Sequence, residues 1–280
     1  MPHEFIDAHH HLWQYSPEEY PWMLDGMEKI RKDFLVPQLQ DVTRTAGVTG
    51  TVAVQARQTL EETEWLLNLA DGTSLIRGIV GWVPLIEEDI AKRLEVFSAK
   101  PKLRGVRHVL HDEQDDLYML REDFNRGISL LKDFDLVYDI LIFERHLPQT
   151  LEFVDRHPNQ VFVLDHIAKP KIRNKIFSPW DRGITELACR ENVYCKISGM
   201  VTEADWNDWS ESDLRPYFDA VLQAFGPPRV MFGSDWPVIE VACEYGRWSR
   251  IVRGWISQQS PADQSAILAE TAKKAYSLSL

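Results

Sequence analysis

Three consecutive histidines follow a short apolar run near the start of the chain, in the segment FIDAHHHLW. Alternate residues of a β-strand share a face, so His9 and His11 are predicted to lie on one face together with Asp7. The opposite face, which we expect to pack against helices, would carry Ile6, Ala8 and His10. Two imidazoles placed two residues apart on a strand can bind one metal ion or position one polarised oxygen. The pattern therefore predicts that His9 and His11 point into a functional site.

Polar residues also end several apolar runs further along the chain. His166 ends the run VFVLDH, and Asp235 ends the run VMFGSD. Burying such polar groups costs stability unless they serve a site, so we predict that both residues join His9 and His11. Other polar residues within or at the ends of these runs are Arg107, His108, Tyr138, Asp139 and Lys196. Helix capping or an ion pair with a nearby arginine could equally explain some of them, and also Asp165.

The apolar runs that carry these residues alternate with helical patterns. The eight runs cover residues 5–8, 51–55, 76–83, 103–109, 136–143, 161–166, 193–198 and 230–235. Helical patterns with capping signals include residues 36–47, 59–72, 212–226 and 260–276. The alternation predicts an α/β protein, a single TIM-like (β/α)8 barrel domain over residues 1–280 with an extended loop after the first strand. A doubly wound open sheet is disfavoured because no G-x-G-x-x-G follows the first run.

Two segments exceed ordinary loop length, residues 13–34 and residues 199–211. Both lie on the strand-to-helix side, which is the functional face of a barrel and the place where long loops build the pocket. Their aromatic residues are expected either to line this pocket or to anchor the loops. These residues are Trp13, Tyr20, Trp22 and Trp206.

The composition is that of a globular protein. Of the 280 residues, 44% are hydrophobic and 26% are charged, which is ample material for a core. The formal net charge of −12 argues against a nucleic-acid or membrane-surface partner, because those partners require a basic face. There is no signal-peptide pattern, and the three cysteines have no metal-binding or redox spacing. We therefore expect a cytoplasmic protein with free thiols, while the sequence indicates no oligomeric state.

Several motifs taken together resemble the amidohydrolase superfamily and, within it, the sugar-lactonase branch. After D-x-H-x-H at residues 7–11 come YPW at 20–22, GVRH at 105–108, LDHIAKP at 164–170, KISG at 196–199 and FGSDWP at 232–237. The resemblance runs from the first strand to the last helix. It implies hydrolysis of a sugar-derived lactone such as L-fuconolactone or L-rhamnonolactone, with a more distant similarity to lactonases of 2-pyrone-4,6-dicarboxylate.

The resemblance also implies a role for each matching residue. His9 and His11 match the metal-binding pair of the first strand. His166 and Asp235 match the catalytic residues of the sixth and eighth strands, and Asp235 is the expected general base for water. The fourth strand offers Arg107 in place of the lysine or glutamate that bridges two metals. The resemblance thus implies at most one metal, zinc, on His9, His11 and Asp235, and is equally compatible with catalysis without a metal.

Substrate contacts are expected from polar and aromatic residues near the strand ends. They are Arg107, His108, Tyr138, Lys196, Trp22 and Trp236. A neutral lactone is favoured over a dicarboxylate because Arg57 and Arg107 are the arginines predicted near the site. The alternative activities for this scaffold are zinc-dependent decarboxylation, or another hydrolysis known from the superfamily, of an aromatic or dicarboxylic acid. A barrel that binds a sugar acid without turnover is disfavoured by the intact Asp235.

Overall fold

The computed structural model describes residues 4–278, so the ends of the predicted domain, 1–3 and 279–280, lie outside the described residues. Eight parallel strands follow one another around a barrel in sequence order. The strands are β1 (Ile6–His10), β2 (Gly50–Val54), β3 (Ile76–Gly81), β4 (Leu103–Val109), β5 (Val137–Leu141), β6 (Phe162–Leu164), β7 (Val193–Ile197) and β8 (Val230–Phe232). The main helices are α1 (Val36–Ala46), α2 (Leu60–Asp71), α3 (Ile90–Ser98), α4 (Glu122–Leu131), α5 (Leu147–Asp155), α6 (Trp180–Leu187), α7 (Glu211–Phe225), α8 (Tyr245–Ile256), α9 (Pro261–Ser265) and α10 (Thr271–Ala275).

The barrel closes between its first and last strands. The Asp235 amide donates to the carbonyl oxygen of His9 at 2.8 Å, and the His11 amide donates to that of Trp236 at 2.6 Å. These bonds join the end of β1 to the segment that follows β8. The predicted (β/α)8 barrel is confirmed, and its closure brings two of the predicted site segments side by side.

Local sequence signals account for several helix ends. Helix α1 ends at Gly47, whose φ of 77° is left-handed and therefore suits glycine. The Thr59 hydroxyl accepts from the Glu62 amide at the start of α2, and the Ser260 hydroxyl accepts from the Asp263 amide at the start of α9. A π-helical turn (Ala266–Glu270) joins α9 to α10. Within the described residues, no helix combines the length and apolar character needed to cross a membrane.

Two apolar clusters fill the barrel and its surroundings. The larger lies mainly between the strands and the helices. The smaller fills the interior of the barrel, and its members include Ile6, Ala8, Val52, Val54, Val80, Val137, Val163 and Met231. Helix α10 and the residues after it add Ala272, Ala275, Tyr276 and Leu278 to the interior cluster. The C-terminal segment therefore packs directly against the inner side chains of the barrel.

The faces of β1 differ from the predicted ones because the strand contains a β-bulge. Asp7 pairs with Thr51 and His10 pairs with Ala53, so three steps along β1 match two steps along β2. A bulge of this kind resets the alternation of side chains. Ile6 and Ala8 consequently belong to the interior cluster, so the prediction that they pack against helices was wrong.

The same bulge separates Asp7 from the two histidines that it was predicted to accompany. The Asp7 carboxylate turns outward, where it accepts from the Ser234 hydroxyl at 2.6 Å and from Tyr245 of α8 at 2.9 Å. In a regular strand His9 would face the same way as Asp7, two residues earlier. Because of the bulge it turns inward instead, and its ring contacts residues of β4 and β7. His10 points away and lies 3.0 Å from the Thr51 hydroxyl.

Candidate active site

Four predicted residues converge at the carboxyl ends of the strands. The Nε2 atoms of His9 and His11 lie 3.2 Å apart. The Asp235 Oδ1 atom lies 3.4 Å from His11 Nε2 and 3.8 Å from His9 Nε2. His166 approaches from β6, with its Nε2 atom 3.9 Å from the same oxygen. One carboxylate oxygen thus faces three imidazoles, all in buried side chains.

The ring of His11 is oriented by the second strand. Its Nδ1 atom lies 2.8 Å from the carbonyl oxygen of Val54, which can only accept a hydrogen bond. Nδ1 therefore carries a proton, and in the neutral ring the lone pair is on Nε2, the atom that points toward Asp235 and His9. This is the tautomer that a metal ligand or a hydrogen-bond acceptor requires.

His166 is carried by a left-handed turn that contains no glycine. Four consecutive residues, 166–169, have φ values between 45° and 61°. Left-handed backbone costs a non-glycine residue roughly 1–2 kcal/mol, and such strain is concentrated at functional sites. The turn is held by Trp180, whose indole donates to the Ile167 carbonyl at 2.7 Å, and by the burial of Ile167 and Ala168. The turn brings two cavity-lining side chains, His166 and Lys169, to the same end of β6.

The segment after β7 supports the His166 ring from behind. The Ser198 hydroxyl lies 2.8 Å from His166 Nδ1. Gly199 follows with a φ of 63°, and a Cβ atom at this position would lie 2.6 Å from the same nitrogen. Gly199 is therefore required both by its backbone conformation and by the ring packed on it.

Replacing this glycine should move the imidazole. We expect Gly199→Ala to lower kcat about 100-fold through displacement of His166 and to cost about 1–3 kcal/mol of stability from the strained φ. The matched control is Gly254→Ala on the exposed face of α8, where nothing lies within 4 Å of an added Cβ. That variant should keep its activity and gain up to about 1 kcal/mol. Wild-type kcat in Gly199→Ala would contradict the assignment.

Burial and neighbouring charges set the protonation states of the cluster. Burial lowers the pKa values of His9 and His166 well below the ordinary value of a histidine. Burial alone would raise the pKa of Asp235, but His166, His11 and Lys169 outweigh it and hold this pKa below its ordinary value. At neutral pH, therefore, Asp235 is a carboxylate and the rings of His9 and His166 are uncharged.

A buried ionic network underlies His9. The Lys196 ammonium lies 2.6 Å from Asp139 and 2.9 Å from Asp165, and all three side chains are fully buried. The same ammonium lies 3.1 Å from His9 Nδ1. Tyr276, next to α10, donates its hydroxyl to Asp139 at 2.8 Å. The network links the C-terminal segment to the first histidine of the site.

Arg107 continues this network at the floor of the cavity. Its Nη1 atom donates to Asp165 at 2.8 Å and lies 3.4 Å from His9 Nε2. Its Nη2 atom donates to the carbonyl oxygen of Gln55. Burial would raise the pKa of Asp165, but Lys196, His9 and Arg107 hold it well below its usual range. The ion-pair interpretation of Asp165 is thus confirmed.

The cluster opens into a cavity of about 870 Å³. His11, Arg107, His166 and Asp235 form its floor. The two long loops contribute to its walls as predicted, with Trp22 from the first and Trp206 from the second. The apolar part of the wall consists of Pro21, Trp22, Met27, Ala56, Val109, Leu141, Phe143, Trp206, Val238 and Val241.

Two of the six predicted substrate contacts, Trp22 and Arg107, line the cavity. Lys196 lies beneath the site, where its ammonium is enclosed by Asp139 and Asp165. The remaining three predicted contacts face away from the cavity into the surrounding layer. They are His108, stacked on Tyr118, Tyr138, packed against Phe124 and Phe153, and Trp236, packed against Phe34. Their positions contradict the expectation that these three contact substrate.

The loop aromatics divide in a similar way. Trp13 and Tyr20 are buried, and their rings lie 5.8 Å apart, so they anchor the first long loop. Sequence reasoning missed Lys169, Glu203 and His111, which line the cavity from three different loops. The lysine stands in the motif LDHIAKP and could have been singled out there. Nothing local marks the other two residues.

The donor set fits a single zinc ion. Zinc prefers nitrogen and oxygen ligands about 2.0–2.2 Å away in a tetrahedron, whose corners are then about 3.3–3.6 Å apart. The ligand atoms of His9, His11 and Asp235 are separated by 3.2, 3.4 and 3.8 Å. A second possible group, His9, Asp165 and His166, shares His9 and has its carboxylate already paired with Lys196 and Arg107. The geometry therefore favours the first group.

Comparisons with known proteins agree with the fold. The profile of the family described as Amidohydrolase matches residues 6–278. An L-fucono-1,5-lactonase from Burkholderia multivorans is 40% identical over 98% of this chain and 96% of its own length. Another, from Burkholderia ambifaria, is 37% identical over 87% of this chain and 84% of its own length. A crystal structure of a Burkholderia multivorans amidohydrolase with bound zinc is 40% identical, covers 99% of this chain and 100% of its own, and superposes with a TM-score of 0.94.

Proposed function

The chain belongs to the amidohydrolase family and is an enzyme of the hydrolase class, and we propose that it opens a sugar-derived lactone to the free sugar acid. L-Fucono-1,5-lactone is the first substrate to test, because two relatives that match most of the chain carry that activity in their names. The observation that carries the proposal is an ionised Asp235 beside the uncharged imidazole of His166 at the floor of a cavity. A carboxylate in this position can act as a general base for water, and the neighbouring groups can polarise a carbonyl group.

The charges that line the cavity favour a neutral substrate. Five carboxylates and three cations line it: Glu18, Glu19, Asp112, Glu203, Asp235, Arg57, Arg107 and Lys169. Each of the three cations is paired with a carboxylate, Arg57 with Glu19, Arg107 with Asp165 and Lys169 with Glu203. A dicarboxylate or an aromatic acid would enter a net negative cavity whose cations are already neutralised. A neutral lactone is not repelled by the negative charge of the cavity. The same negative charge repels the carboxylate product and so favours its release.

In the proposed reaction, water adds to the lactone carbonyl and the ring carbon–oxygen bond breaks. Oδ1 of Asp235 faces the three histidines, which leaves its other oxygen to accept a proton from water. The same proton passes to the ring oxygen as it leaves, so the products are a hydroxyl and a carboxylic acid. His166, whose Nδ1 atom can accept from the Ser198 hydroxyl, donates its Nε2 proton to the carbonyl oxygen. Arg107 supplies positive charge to the floor of the cavity. A zinc ion on His9, His11 and Asp235 would supply a Lewis acid for the same carbonyl.

The zinc assignment makes a prediction that does not depend on activity. After zinc loading and desalting, the protein should retain about one equivalent of zinc, and His11→Ala should retain less than about a fifth of that. Elemental analysis provides the measurement. The control is His157→Gln, whose ring lies beside Asn125, outside the site, and should not change the ratio. Equal zinc content in both variants would refute the assignment and leave the lactonase proposal standing.

The proposed function is tested by a substrate screen. Sugar 1,4- and 1,5-lactones are followed with a pH indicator, because each ring opening releases a proton at neutral pH. Release of CO2 from 2,6-dihydroxybenzoate serves as the parallel assay for a decarboxylase. The account predicts rapid opening of at least one neutral sugar lactone, no CO2 release, and little activity on 2-pyrone-4,6-dicarboxylate. CO2 release without lactone opening would replace the proposed function with the decarboxylase alternative.

We further propose that this reaction takes place in the cytoplasm as part of carbohydrate metabolism. Support comes from the three cysteines, Cys189, Cys195 and Cys243, which are all unpaired thiols. Unpaired thiols are typical of a reducing compartment.

A further inference from the structure

The cavity contains an ion pair that the proposed chemistry does not use. Lys169, on the left-handed turn after β6, and Glu203, in the long loop after β7, both line the cavity. The Lys169 Nζ atom lies 3.0 Å from the Glu203 Oε1 atom. Their side chains keep 17% and 20% of their surface exposed, so both groups remain accessible from the cavity.

Both partners retain hydrogen-bonding capacity. Among the hydrogen bonds of residues 4–278, the side-chain bond between Lys169 and Glu203 is the only one that either side chain makes. An ammonium group has three N–H donors and a carboxylate can accept at both oxygens. After their mutual bond, Lys169 can donate twice more, and the second oxygen of Glu203 can accept. The pair therefore offers a strong donor and a strong acceptor side by side.

The Lys169–Glu203 pair lies in the same cavity as the proposed catalytic residues. Lys169 follows His166 by three residues on the same strained turn, and both side chains line the cavity together with Asp235. A lactone whose carbonyl lies over Asp235 would thus present its ring substituents to the walls, where Lys169 and Glu203 stand. In a sugar lactone these substituents are hydroxyls on neighbouring carbons.

A purely structural role accounts for the pair less well. The ion pair does join two loops, but partly exposed pairs of this kind contribute about 0–1 kcal/mol. The two loops are also joined by a backbone hydrogen bond, in which the Arg173 amide donates to the carbonyl oxygen of Glu203 at 2.9 Å. Holding the loops together therefore does not require two charged groups on the cavity wall.

We propose that Lys169 and Glu203 together bind two adjacent hydroxyls of the sugar lactone and so determine its specificity. The inference rests on the proposed function and deepens it. A hydroxyl can both donate and accept, so one hydroxyl accepts from the ammonium and its neighbour donates to the carboxylate. The pair is neutral overall, which suits an uncharged polyol better than a second carboxylate. A site that hydrogen-bonds a substrate hydroxyl rejects analogues that lack the hydroxyl, because its polar groups are then left unpaired.

The test compares two lactones that share a ring but differ in hydroxyls. L-Fucono-1,5-lactone carries adjacent hydroxyls, and δ-valerolactone has the same ring without them. We expect Lys169→Met to lower kcat/KM for the sugar lactone about 30–100-fold and to lower it for δ-valerolactone at least ten times less. The double variant Lys169→Met/Glu203→Gln, which leaves no charge unpaired, should show the same loss of discrimination.

The control variant is Lys171→Met, two residues along the chain. Lys171 pairs with Glu144 at 2.8 Å on an exposed side chain, and neither residue lines the cavity. It should leave the ratio of the two kcat/KM values unchanged. Parallel losses on both lactones in Lys169→Met and in the double variant would overturn the inference, because that is the result of a loop-fastening role. Failure of the wild-type protein on every sugar lactone would instead refute the proposed function.

Discussion

Asp235→Asn is expected to lower kcat for lactone opening by about 10³–10⁴-fold. Asparagine keeps the shape of the side chain and can accept a hydrogen bond, but it cannot take a proton from water. General-base catalysis contributes about 10²–10⁴-fold, and the loss of a carboxylate ligand would add to it where zinc is bound. The measurement is kcat on L-fucono-1,5-lactone, with thermal unfolding of the same sample.

The fold should survive this substitution. The pKa of Asp235 is held below its ordinary value, so its charge stabilises the fold and the substitution should lower Tm modestly. The left-handed φ of 59° at this position is well tolerated by asparagine, so the protein should remain folded. The matched control is Asp208→Asn, an exposed carboxylate in the long loop after β7, which should retain wild-type kcat and Tm. A kcat within tenfold of wild type in Asp235→Asn would show that another group activates the water.

Lys196→Met should destabilise the protein by about 3–5 kcal/mol. The substitution removes the cation shared by Asp139 and Asp165, both fully buried. Asp165 keeps its ion pair with Arg107, whereas the buried charge of Asp139 is left without a cation. Chemical denaturation at pH 7.5 provides the measurement. A cost below about 1 kcal/mol would mean that the network is not ionised as described.

The pH dependence of this cost has a definite sign. Burial already raises the pKa of Asp139 to about 6 in the intact network, and loss of Lys196 removes the charge that opposes this rise. Below its pKa, Asp139 is protonated and no longer strands a charge. The deficit of Lys196→Met should therefore be smaller at pH 5.5 than at pH 8. In Lys196→Met/Asp139→Asn, part of the stability at pH 8 should return.

The barrel could be predicted because the same sequence pattern, a strand followed by a helix, recurs along the chain. Each strand gives a short apolar run, each helix gives a capped amphipathic pattern, and their alternation leaves few topologies. The convergence of His9, His11, His166 and Asp235 follows from the same reasoning, since the carboxyl ends of parallel strands meet at one edge. The fold and these four positions were therefore accessible from composition and spacing.

The details of the first strand were not accessible in this way. Side chains alternate regularly only where each residue of a strand pairs with one residue of the neighbouring strand. The bulge in β1 inserts an extra residue opposite β2 and so shifts the alternation. Asp7, predicted to join the histidines, instead faces α8, while His9 reaches the site only because of the bulge. No glycine or proline marks the position.

In β4 and β5 the regular alternation of side chains correctly separates the inward-facing residues from the outward-facing ones. Arg107 and Asp139 point inward, so their neighbours His108 and Tyr138 must point outward, as the structure places them. The left-handed turn that carries Lys169 is a different case. It consists of residues that normally avoid this backbone, and tertiary packing imposes it, so no local signal predicts the pair with Glu203.

The most direct test of the central claim is the rate at which the purified protein opens L-fucono-1,5-lactone. A pH-indicator assay at neutral pH measures this rate against the spontaneous opening of the lactone. We expect a kcat/KM of at least about 10⁴ M⁻¹s⁻¹ on this or another neutral sugar 1,5-lactone. Progress curves that match spontaneous opening for every sugar lactone, with zinc-loaded and zinc-free protein alike, would contradict it.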